Sequence, residues 1–226
     1  MELLRPNEQR AKNAVLLIWI VLTLDVISIA SDFFQYKLIY AAGQGELPTE
    51  AAATSNDLRQ QIIGIAYIIA SILSCITFIQ WFRRGYFNLH QRVNTLSYSE
   101  GWAAGGWFVP IISLYYPYRI MKEMWRETDY IISKNNSTYR SNTNISIVGW
   151  WWTLWIIVEF VGRFVAKYSL RADTIDELLT STLSSMVQSV ISIVLGLVTI
   201  KIVKEYSQME TQLAQIPFET NTPQLS

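Results

Sequence analysis

The segment "SYSEGWAAGGWFVPIISLYYPYRIMKEMW", residues 97–125, decides the topology of this chain. It is apolar enough to enter a membrane, yet it contains three glycines and two prolines and becomes charged at Arg119. Each proline removes a backbone hydrogen-bond donor and disfavours helix at the residue before it. The segment therefore raises one question, which is whether it crosses the bilayer, enters it and returns, or lies on its surface.

The composition places the chain in a membrane. Of its 226 residues, 51% are hydrophobic and 16% are charged, whereas soluble domains carry about 25% charged residues. Nine tryptophans and twelve tyrosines are typical of membrane interfaces, where amphipathic rings collect. The formal net charge is zero, which indicates no surface for nucleic acid. With one cysteine, Cys75, and one histidine, His90, we predict no metal site and no cofactor.

Four segments are long enough to cross a bilayer, since about 20 mainly apolar helical residues are needed. They are residues 14–34, 61–82, 147–167 and 183–200. The apolar run of the first is longer than that of a signal peptide, so we interpret it as a retained anchor. Four further predictions concern the remaining chain: one membrane domain over 1–206, an exposed connection over 36–59, a polar linker over 134–144, and a flexible cytoplasmic tail over 207–226.

Charge counting decides between the alternatives for residues 101–118. If this stretch spans the membrane, lysines and arginines divide into 8 inside and 9 outside. If it returns to its own side, 13 lie inside and 4 outside, which the positive-inside rule favours. We therefore predict a re-entrant or interfacial Pro-Gly hairpin, with both termini in the cytoplasm. A fifth span is the alternative.

An amphipathic helix is predicted after the hairpin, because Pro117 suits the first turn of a helix. In a helix, one face would carry Tyr118, Met121, Trp125, Thr128 and Ile132, while Arg119, Lys122, Glu123, Arg126 and Glu127 lie elsewhere. Such a helix lies in the membrane interface. The predicted fold is an all-α membrane protein with four transmembrane helices, a re-entrant or interfacial region over 101–132, and a cytoplasmic amphipathic helix.

The motifs of this region resemble a bacterial membrane family, the domain of unknown function 4328 family. The likeness rests on "WFRRGYFNL" (81–89), "YSEGWAAGGWFVPI" (98–111), "PYRIMKEMW" (117–125) and "WWWTLWIIVEFVGR" (150–163). The resemblance implies that the protein is located in the bacterial cytoplasmic membrane, and it implies no particular activity. We expect the motif residues to act in packing: Asn88, Tyr98, Gly101, Trp102, Gly105, Gly106, Trp107, Pro110, Pro117, Tyr118 and Trp125.

Charged residues within the spans are candidates for function. They are Asp25, Asp32, Glu159 and Arg163. A charge at the bilayer centre costs about 2.5–3.5 kcal/mol on the insertion scale, so these side chains should face protein or water. One interpretation is an ion or proton path that uses Asp25 and Glu159. The other is a structural bridge from Arg163 to Glu159 or to Asp25 that holds helices together.

Two further groups have a functional and a structural interpretation. A small-polar stripe on the fourth span either lines a pore or lets helices approach closely; it contains Ser185, Ser189, Ser192, Gly196 and Thr199. Basic residues near the spans either bind anionic headgroups or another phosphate, or only anchor the topology; they are Arg83, Arg84, Arg92, Arg119, Lys122 and Arg126. We expect His90 in an exposed loop, Cys75 packed within its span, and Asn88 near Pro110.

The favoured function is a non-enzymatic module that binds membrane lipids or a protein partner and is able to form homo-oligomers. No nucleic-acid partner and no catalytic residue are predicted, since no nucleophile motif or phosphate-binding glycine loop is present. The alternative is a small oligomeric ion channel or transporter that uses buried carboxylates. A third hypothesis is an interfacial lipid-modifying enzyme that would use His90, Asp129 or Glu123.

Overall fold

The computed structural model describes residues 4–136, 139 and 145–217, and the regular elements in this part of the chain are all helices. Four of them are long and apolar enough to cross a membrane, namely α1, α2, α5 and α6, which confirms the four predicted spans. The elements are α1 (Glu8–Gly43), α2 (Glu50–His90), α3 (Trp102–Gly105), a 3₁₀ turn (Ile112–Leu114), α4 (Tyr116–Asn135), α5 (Ser146–Ser169) and α6 (Ile175–Gln215).

The long helices extend well beyond the predicted spans. The predicted connection over 36–59 is helical except at 44–49. Its alanines favour helix, and the chain turns near Gly45, which has φ +89°. The predicted flexible tail was also wrong over 207–215, where α6 continues and the apolar Met209 and Leu213 are buried. Residues 218–226 of that tail, and Arg140 with most of the polar linker, lie outside the described residues.

The hairpin segment contains no spanning helix. Its only helical pieces before α4 are the four-residue α3 and the 3₁₀ turn, and Ile111, directly after Pro110, has φ +68°. A positive φ is rare for a β-branched residue, and it is incompatible with a continuous α-helix at this point. Pro117 lies in the first turn of α4, as predicted. A fifth transmembrane helix is thus excluded for residues 101–118.

The predicted single membrane domain consists of two compact units. Unit 1 comprises the described residues of Met1–Lys12, Phe78–Gly149 and Ile202–Ser226, and unit 2 comprises Asn13–Thr77 and Trp150–Lys201. Unit 1 therefore contains the hairpin and α4, together with the start of α1, the end of α2, the start of α5 and the end of α6. Unit 2 contains most of the apolar helical segments.

Small residues allow close helix contacts inside unit 2. Ile18 and Leu22 of α1 and Ile200 of α6 form a buried apolar cluster. A Cβ atom added to Gly196 would lie 2.6 Å from Leu22 Cδ2, so the absence of a side chain at Gly196 lets α1 approach α6. This supports the packing interpretation of that position in the polar stripe.

Candidate functional site

An aromatic core organises unit 1. Trp81 of α2 is fully buried and meets Tyr206 of α6 edge-on at 5.9 Å between ring centroids. The ring of Trp125 from α4 lies 6.1 Å from the same tyrosine, and Trp81 Nε1 donates to Ser207 Oγ at 3.1 Å. Ring–ring contacts of this kind stabilise the folded state beyond the gain from burying the rings. This core fixes α2, α4 and α6 as the frame of the site.

Gly85 lets these three helices meet. A Cβ atom at this position would lie 2.8 Å from Met124 Cε and 3.0 Å from Tyr206 Cε1. Both distances are shorter than normal carbon–carbon contacts, so the Met124 and Tyr206 side chains would have to move to admit a side chain at Gly85. The glycine belongs to the "WFRRGYFNL" motif, although the sequence alone did not indicate its role.

A buried polar network ties the N-terminal segment to α2 and α6. Asn88 Nδ2 donates to the Arg5 carbonyl at 2.9 Å, and Asn88 Oδ1 accepts from the Arg5 backbone N–H at 2.9 Å. The Glu210 carboxylate accepts from Asn88 Nδ2 at 2.5 Å and from Asn7 Nδ2 at 2.9 Å. The prediction that Asn88 lies near Pro110 and bonds to the backbone there was wrong, because its side-chain amide forms hydrogen bonds with Arg5 and Glu210 instead.

The Glu210 carboxyl lies ten residues beyond Ile200, outside the apolar span of α6. Only 7% of the residue is exposed. Burial raises the pKa of this carboxyl, while the hydrogen bonds from Asn88 and Asn7 and the charge of Arg84 act in the opposite direction. The network thus holds a poorly solvated acid close enough to Arg84 to interact with its charge.

Four arginines gather around this network, and we call them the arginine cluster: Arg5, Arg10, Arg83 and Arg84. The Arg5 and Arg84 guanidinium carbons lie 4.2 Å and 5.9 Å from the centroid of the Phe87 ring. Burial, followed by repulsion from Arg10 and Arg5, lowers the pKa of Arg84. Guanidinium groups are suited to two-pronged contacts with phosphate. The cluster therefore has the charge and the chemistry to hold a phosphate-bearing anion.

Within the arginine cluster, Arg83 also forms an ion pair with Glu100 at 3.0 Å. The predicted basic residues of α4 have separate surroundings, and the Arg119 guanidinium lies 5.5 Å from the centre of the Tyr115 ring. Lys122 Nζ lies 5.8 Å from the Tyr118 ring, and Arg126 is exposed. The structure does not gather these three residues of α4 into one pocket with the arginine cluster.

Arg92 closes the C-terminal end of α6. Its Nη2 donates to the carbonyls of Leu213 at 3.0 Å and Ile216 at 2.7 Å, and its Nη1 donates to Pro217 at 3.2 Å. The last carbonyls of a helix lack intrahelical partners and carry partial negative charge, so a cation is favourable there. This contact assigns Arg92 a structural role, beside its predicted role in lipid binding.

The hairpin packs on α2 through one tryptophan. The Trp107 ring meets Phe78 and Phe82 edge-on at 5.7 Å and 6.0 Å. Trp102 contacts Tyr116 at 5.1 Å between centroids, and the Tyr98 ring lies 4.6 Å from the same tyrosine. The aromatic residues of the motif thus pack as a group, while Gly101 and Pro110 are exposed.

The two central glycines of the hairpin differ in a way that the sequence did not show. A Cβ on Gly106 would lie 2.7 Å from the Trp102 carbonyl oxygen, whereas one on Gly105 would have its nearest contact at 4.0 Å. Ala103 is fully buried. The expected packing role therefore holds for Gly106, whereas Gly105 makes no close contact that a Cβ atom would disturb.

Helix α4 buries its apolar side within unit 1. Met121, Trp125, Thr128 and Ile132 are buried, and Tyr118 is half-buried. Thr128 Oγ1 and the Tyr206 hydroxyl share a hydrogen bond at 3.4 Å. The predicted face is therefore present, but protein side chains cover it.

Unit 2 contains an open cavity of about 390 Å³ that is lined by both polar and apolar residues. Asp32 lies at its wall and accepts a hydrogen bond from Gln60 Nε2 at 3.1 Å. Ser28 of α1 and Ser185 and Ser189 of the polar stripe also line it. Thr199, further along the stripe, donates to the carbonyl of Leu195 in its own helix at 2.7 Å. The stripe thus combines cavity lining at one end with close packing at Gly196.

The other intramembrane charges are arranged differently from Asp32. Arg163 Nη2 lies 3.5 Å from Glu159 Oε2 within α5, and the two side chains are 80% and 41% exposed. This pair joins two residues of one helix, so it does not hold helices together. Cys75 is exposed rather than packed, because it lies on a face of α2 that other residues of unit 2 do not cover.

His90 and the two acids of the enzyme hypothesis are placed in unit 1. His90 ends α2 and its half-buried ring packs edge-on against Tyr86 at 4.7 Å, so the prediction of an exposed loop position was wrong. Glu123 accepts from the Tyr86 hydroxyl at 2.7 Å and from the Ser97 N–H at 2.8 Å. Asp129 accepts from the Tyr139 hydroxyl at 2.9 Å. Each acid therefore holds a neighbouring segment in place.

The family model described as a domain of unknown function, DUF4328, matches residues 44–208. The chain belongs to this family. No curated protein and no solved structure matches the chain significantly. The match covers the tryptophan-rich hairpin, Gly85 and Asn88, which confirms the resemblance seen in the motifs.

The structure of this DUF4328 chain also identifies residues that the sequence did not indicate. Glu210, Asn7 and Arg5 lie outside the matched range, yet they complete the network around the family's Asn88. Glu210 follows the last apolar span by ten residues and was assigned to a flexible tail. The available signal was the apolar spacing of Tyr206, Met209 and Leu213, which places three residues on one helical face.

Proposed function

We propose that the chain is a non-enzymatic, multi-pass protein of the bacterial cytoplasmic membrane that binds anionic phospholipid headgroups through unit 1. The arginine cluster is the observation that carries this proposal. The inner leaflet has a negative surface potential, and each Lys or Arg near it contributes about 1 kcal/mol of attraction. In this proposal, the phosphate of the lipid lies between the guanidinium groups near Phe87.

The tip of the hairpin supports a position at the membrane. Among the described residues of unit 1, seven large hydrophobic side chains are exposed, and five of these lie within 108–115. Phe108 and Ile111 are 75% and 74% exposed. An exposed apolar patch on a soluble surface is unfavourable, and such patches mark membrane or protein contacts. We propose that this tip enters the bilayer from the cytoplasmic side and returns, with α4 at the interface.

The orientation follows from the charges. Unit 1 contains both described terminal segments and most of the basic residues, so the positive-inside rule assigns it to the cytoplasmic side. In a Cys75→Ser background, an impermeant thiol reagent should label Glu46→Cys in intact cells and should not label Asn94→Cys. Labelling of Asn94→Cys from outside would reject this orientation.

Native mass spectrometry of the purified protein tests the lipid site. The triple variant Arg5→Gln, Arg10→Gln and Arg84→Gln should retain several-fold less phosphatidylglycerol and cardiolipin than the parent. The control variant Lys37→Gln, Lys167→Gln and Arg171→Gln removes the same charge from residues predicted on the outer side and should retain the parent's lipids. The same spectra report the oligomeric state. Equal retention by the cluster variant and the parent would reject the lipid site.

Brominated lipids test the hairpin position. A bimane probe on Phe108→Cys should be quenched by bromines on the acyl chains, because the proposal places this residue in the bilayer. The same probe on Ser99→Cys, at the exposed start of the hairpin, should be quenched much less. Equal quenching at both positions would contradict a re-entrant tip.

A further inference from the structure

Asp25 is the buried acid that none of the contacts above explains. It lies in the apolar first span and is 1% exposed. Among the described residues, neither of its carboxylate oxygens accepts a hydrogen bond of normal length and angle, although the Tyr67 hydroxyl is close enough to interact with the carboxyl. Ser28 and Asp32 follow Asp25 by three and seven residues on the same face of α1, and both line the cavity of unit 2. Asp25 is not itself a lining residue, so its buried carboxyl lies beside the cavity on that side of α1.

Neutral oxygen groups surround this acid. The hydroxyl of Tyr67, which also lines the cavity, interacts with Asp25, Ser71 and Ser192. Ser71 lies one turn after Tyr67 on α2, and Ser192 belongs to the polar stripe of α6. Three helices of unit 2 thus bring one carboxylate and three hydroxyl groups together within an apolar region.

Asp32 has a different environment. Its carboxylate accepts a hydrogen bond from Gln60, and Arg59 is close enough to interact with its charge. The guanidinium of Arg59 is held by Ser31 Oγ at 2.9 Å and Asn56 Oδ1 at 2.6 Å. Arg59 thus acts on the charge of Asp32, whereas no cation among the described residues acts on Asp25.

We propose that Asp25, Tyr67, Ser71 and Ser192 form a binding site for an alkali-metal cation, with Na⁺ as its probe. Hard cations bind oxygen ligands, and a single carboxylate balances a single positive charge. Transporters coordinate Na⁺ with protein oxygens near the middle of the bilayer. Within the described residues, no group of three or more His, Cys, Asp or Glu could hold a metal ion, which favours a monovalent cation over a divalent one. The site is independent of the lipid site in unit 1.

Thermal unfolding of the purified full chain tests the cation site. At constant ionic strength and pH 8, NaCl should raise the Tm of the parent above its value in choline chloride. The rise should continue with the logarithm of the Na⁺ concentration and reach on the order of 5 °C at 100 times the Kd. Asp25→Asn and Tyr67→Phe should lose most of this rise. The control Thr199→Val removes a hydroxyl that bonds within its own helix and should keep the full rise.

The pH dependence separates the cation from a proton. At pH 5 the rise with NaCl should shrink, because protons compete with Na⁺ for the Asp25 carboxylate. Potassium chloride measures the selectivity for ion size, and a response to either alkali cation supports the site. If neither NaCl nor KCl shifts the Tm of the parent at pH 8, the proposal fails. It also fails if Asp25→Asn keeps the full response. Neither result would affect the lipid site, which the arginine variants test separately.

Discussion

Unit 1 and unit 2 are folded by different forces, although the same long helices pass through both. Of the twelve largest fully buried side chains in the described part of the chain, eleven belong to unit 1 and Trp151 belongs to unit 2. Of the 36 exposed large hydrophobic residues described, 29 belong to unit 2. Unit 1 therefore buries its large side chains, whereas unit 2 leaves most of its large apolar side chains exposed.

This contrast is the one that the proposed membrane position would produce, because the two units would then meet different solvents. In water, burying apolar side chains stabilises a fold by about 25 cal/mol for each Å² removed from solvent. In lipid this driving force between helices disappears, so that close packing at small residues and polar contacts hold helices together. Unit 2 shows both features, at Gly196 against Leu22 and at Gln35 Nε2, which donates to Thr182 Oγ1 at 3.2 Å. The exposed fraction of a side chain is therefore a poor guide to how much that residue stabilises unit 2.

The largest expected effect is the loss of an aromatic ring from unit 1. Trp81→Ala should destabilise the protein by about 3–5 kcal/mol, as is typical for truncation of a buried tryptophan. The matched substitution Trp19→Ala in unit 2 removes a ring that is 47% exposed and should change the stability little. The measurement is the Tm of both variants in one detergent. If Trp19→Ala is as damaging as Trp81→Ala, the contrast between the units is false.

The second prediction concerns the buried acid of unit 1. Burial raises the pKa of Glu210 above its usual value of 4.5, so the folded state binds its proton more tightly than the unfolded state. The favourable contribution is therefore complete below pH 4.5 and is lost as the pH rises through the raised folded-state pKa. Glu210→Gln removes this titration. Between pH 4.5 and 8 its Tm should fall less than that of the parent.

Ser207 provides the control for this pH experiment. Its hydroxyl accepts a hydrogen bond from Trp81 Nε1, and Ser207→Ala removes no titrating group, so it should leave the pH dependence of the parent between pH 4.5 and 8 unchanged. Identical curves for the parent and Glu210→Gln would show that Glu210 does not carry the linkage. That result would also weaken the description of unit 1 as a dry interior with a buried acid.

The third prediction compares two close approaches, one in each unit. Gly106→Ala should destabilise unit 1 by about 1–3 kcal/mol, since overpacking that shifts backbone costs this much, and the obstacle is the Trp102 carbonyl oxygen at 2.7 Å. Gly196→Ala in unit 2 should cost less, because its obstacle is a methyl group of the flexible Leu22 side chain. Gly105→Ala, with open space, is the control.

The outcome of these three variants would sharpen the comparison. A Tm order of Gly105→Ala above Gly196→Ala above Gly106→Ala would show that backbone contacts tolerate less than side-chain contacts in either solvent. A lower Tm for Gly196→Ala than for Gly106→Ala would instead mean that the α1–α6 contact cannot relax in detergent, and that unit 2 depends on small residues more strongly than we propose.

The sequence predicts the parts of this fold that depend on local properties. The four spans follow from apolar length, and the interruption of helix before α4 follows from Pro110, because both depend on residues close together in the sequence. The extent of α2 and α6 does not follow, since the helical state of residues 207–215 depends on the burial of Met209 and Leu213 against other segments. Helix propensity alone is a weak guide there.

The site could be predicted less well than the fold. The basic residues near the second span were identified from charge alone, but their grouping with Arg5 and Arg10 requires the contact of the N-terminal segment with Asn88. Similarly, Gly105 and Gly106 are adjacent and chemically identical, so only the path of the backbone distinguishes the tight position from the open one. Pairwise distances across the fold are the information that a single sequence lacks.

The smallest expected effect is at Arg163, where the sequence alone predicts a large one. If Arg163 neutralised a buried acid, its removal would cost about 3–5 kcal/mol, because the acid would be left buried without a partner. The structure instead pairs it with Glu159 on the exposed side of α5, and exposed pairs one turn apart contribute only about 0.3–0.5 kcal/mol. Arg163→Ala should therefore lower the Tm in detergent by no more than about 2 °C.

The matched double variant completes this test. Glu159→Gln alone and together with Arg163→Ala should also stay near the parent, since detergent and water can solvate either side chain. A large loss for Arg163→Ala that Glu159→Gln partly restores would show that the surface of α5 is covered in the working protein, by lipid without water or by another chain. In that case the outward direction of side chains in unit 2 would describe an interface between protein chains, and the contrast between the two units would concern assembly as well as solvent.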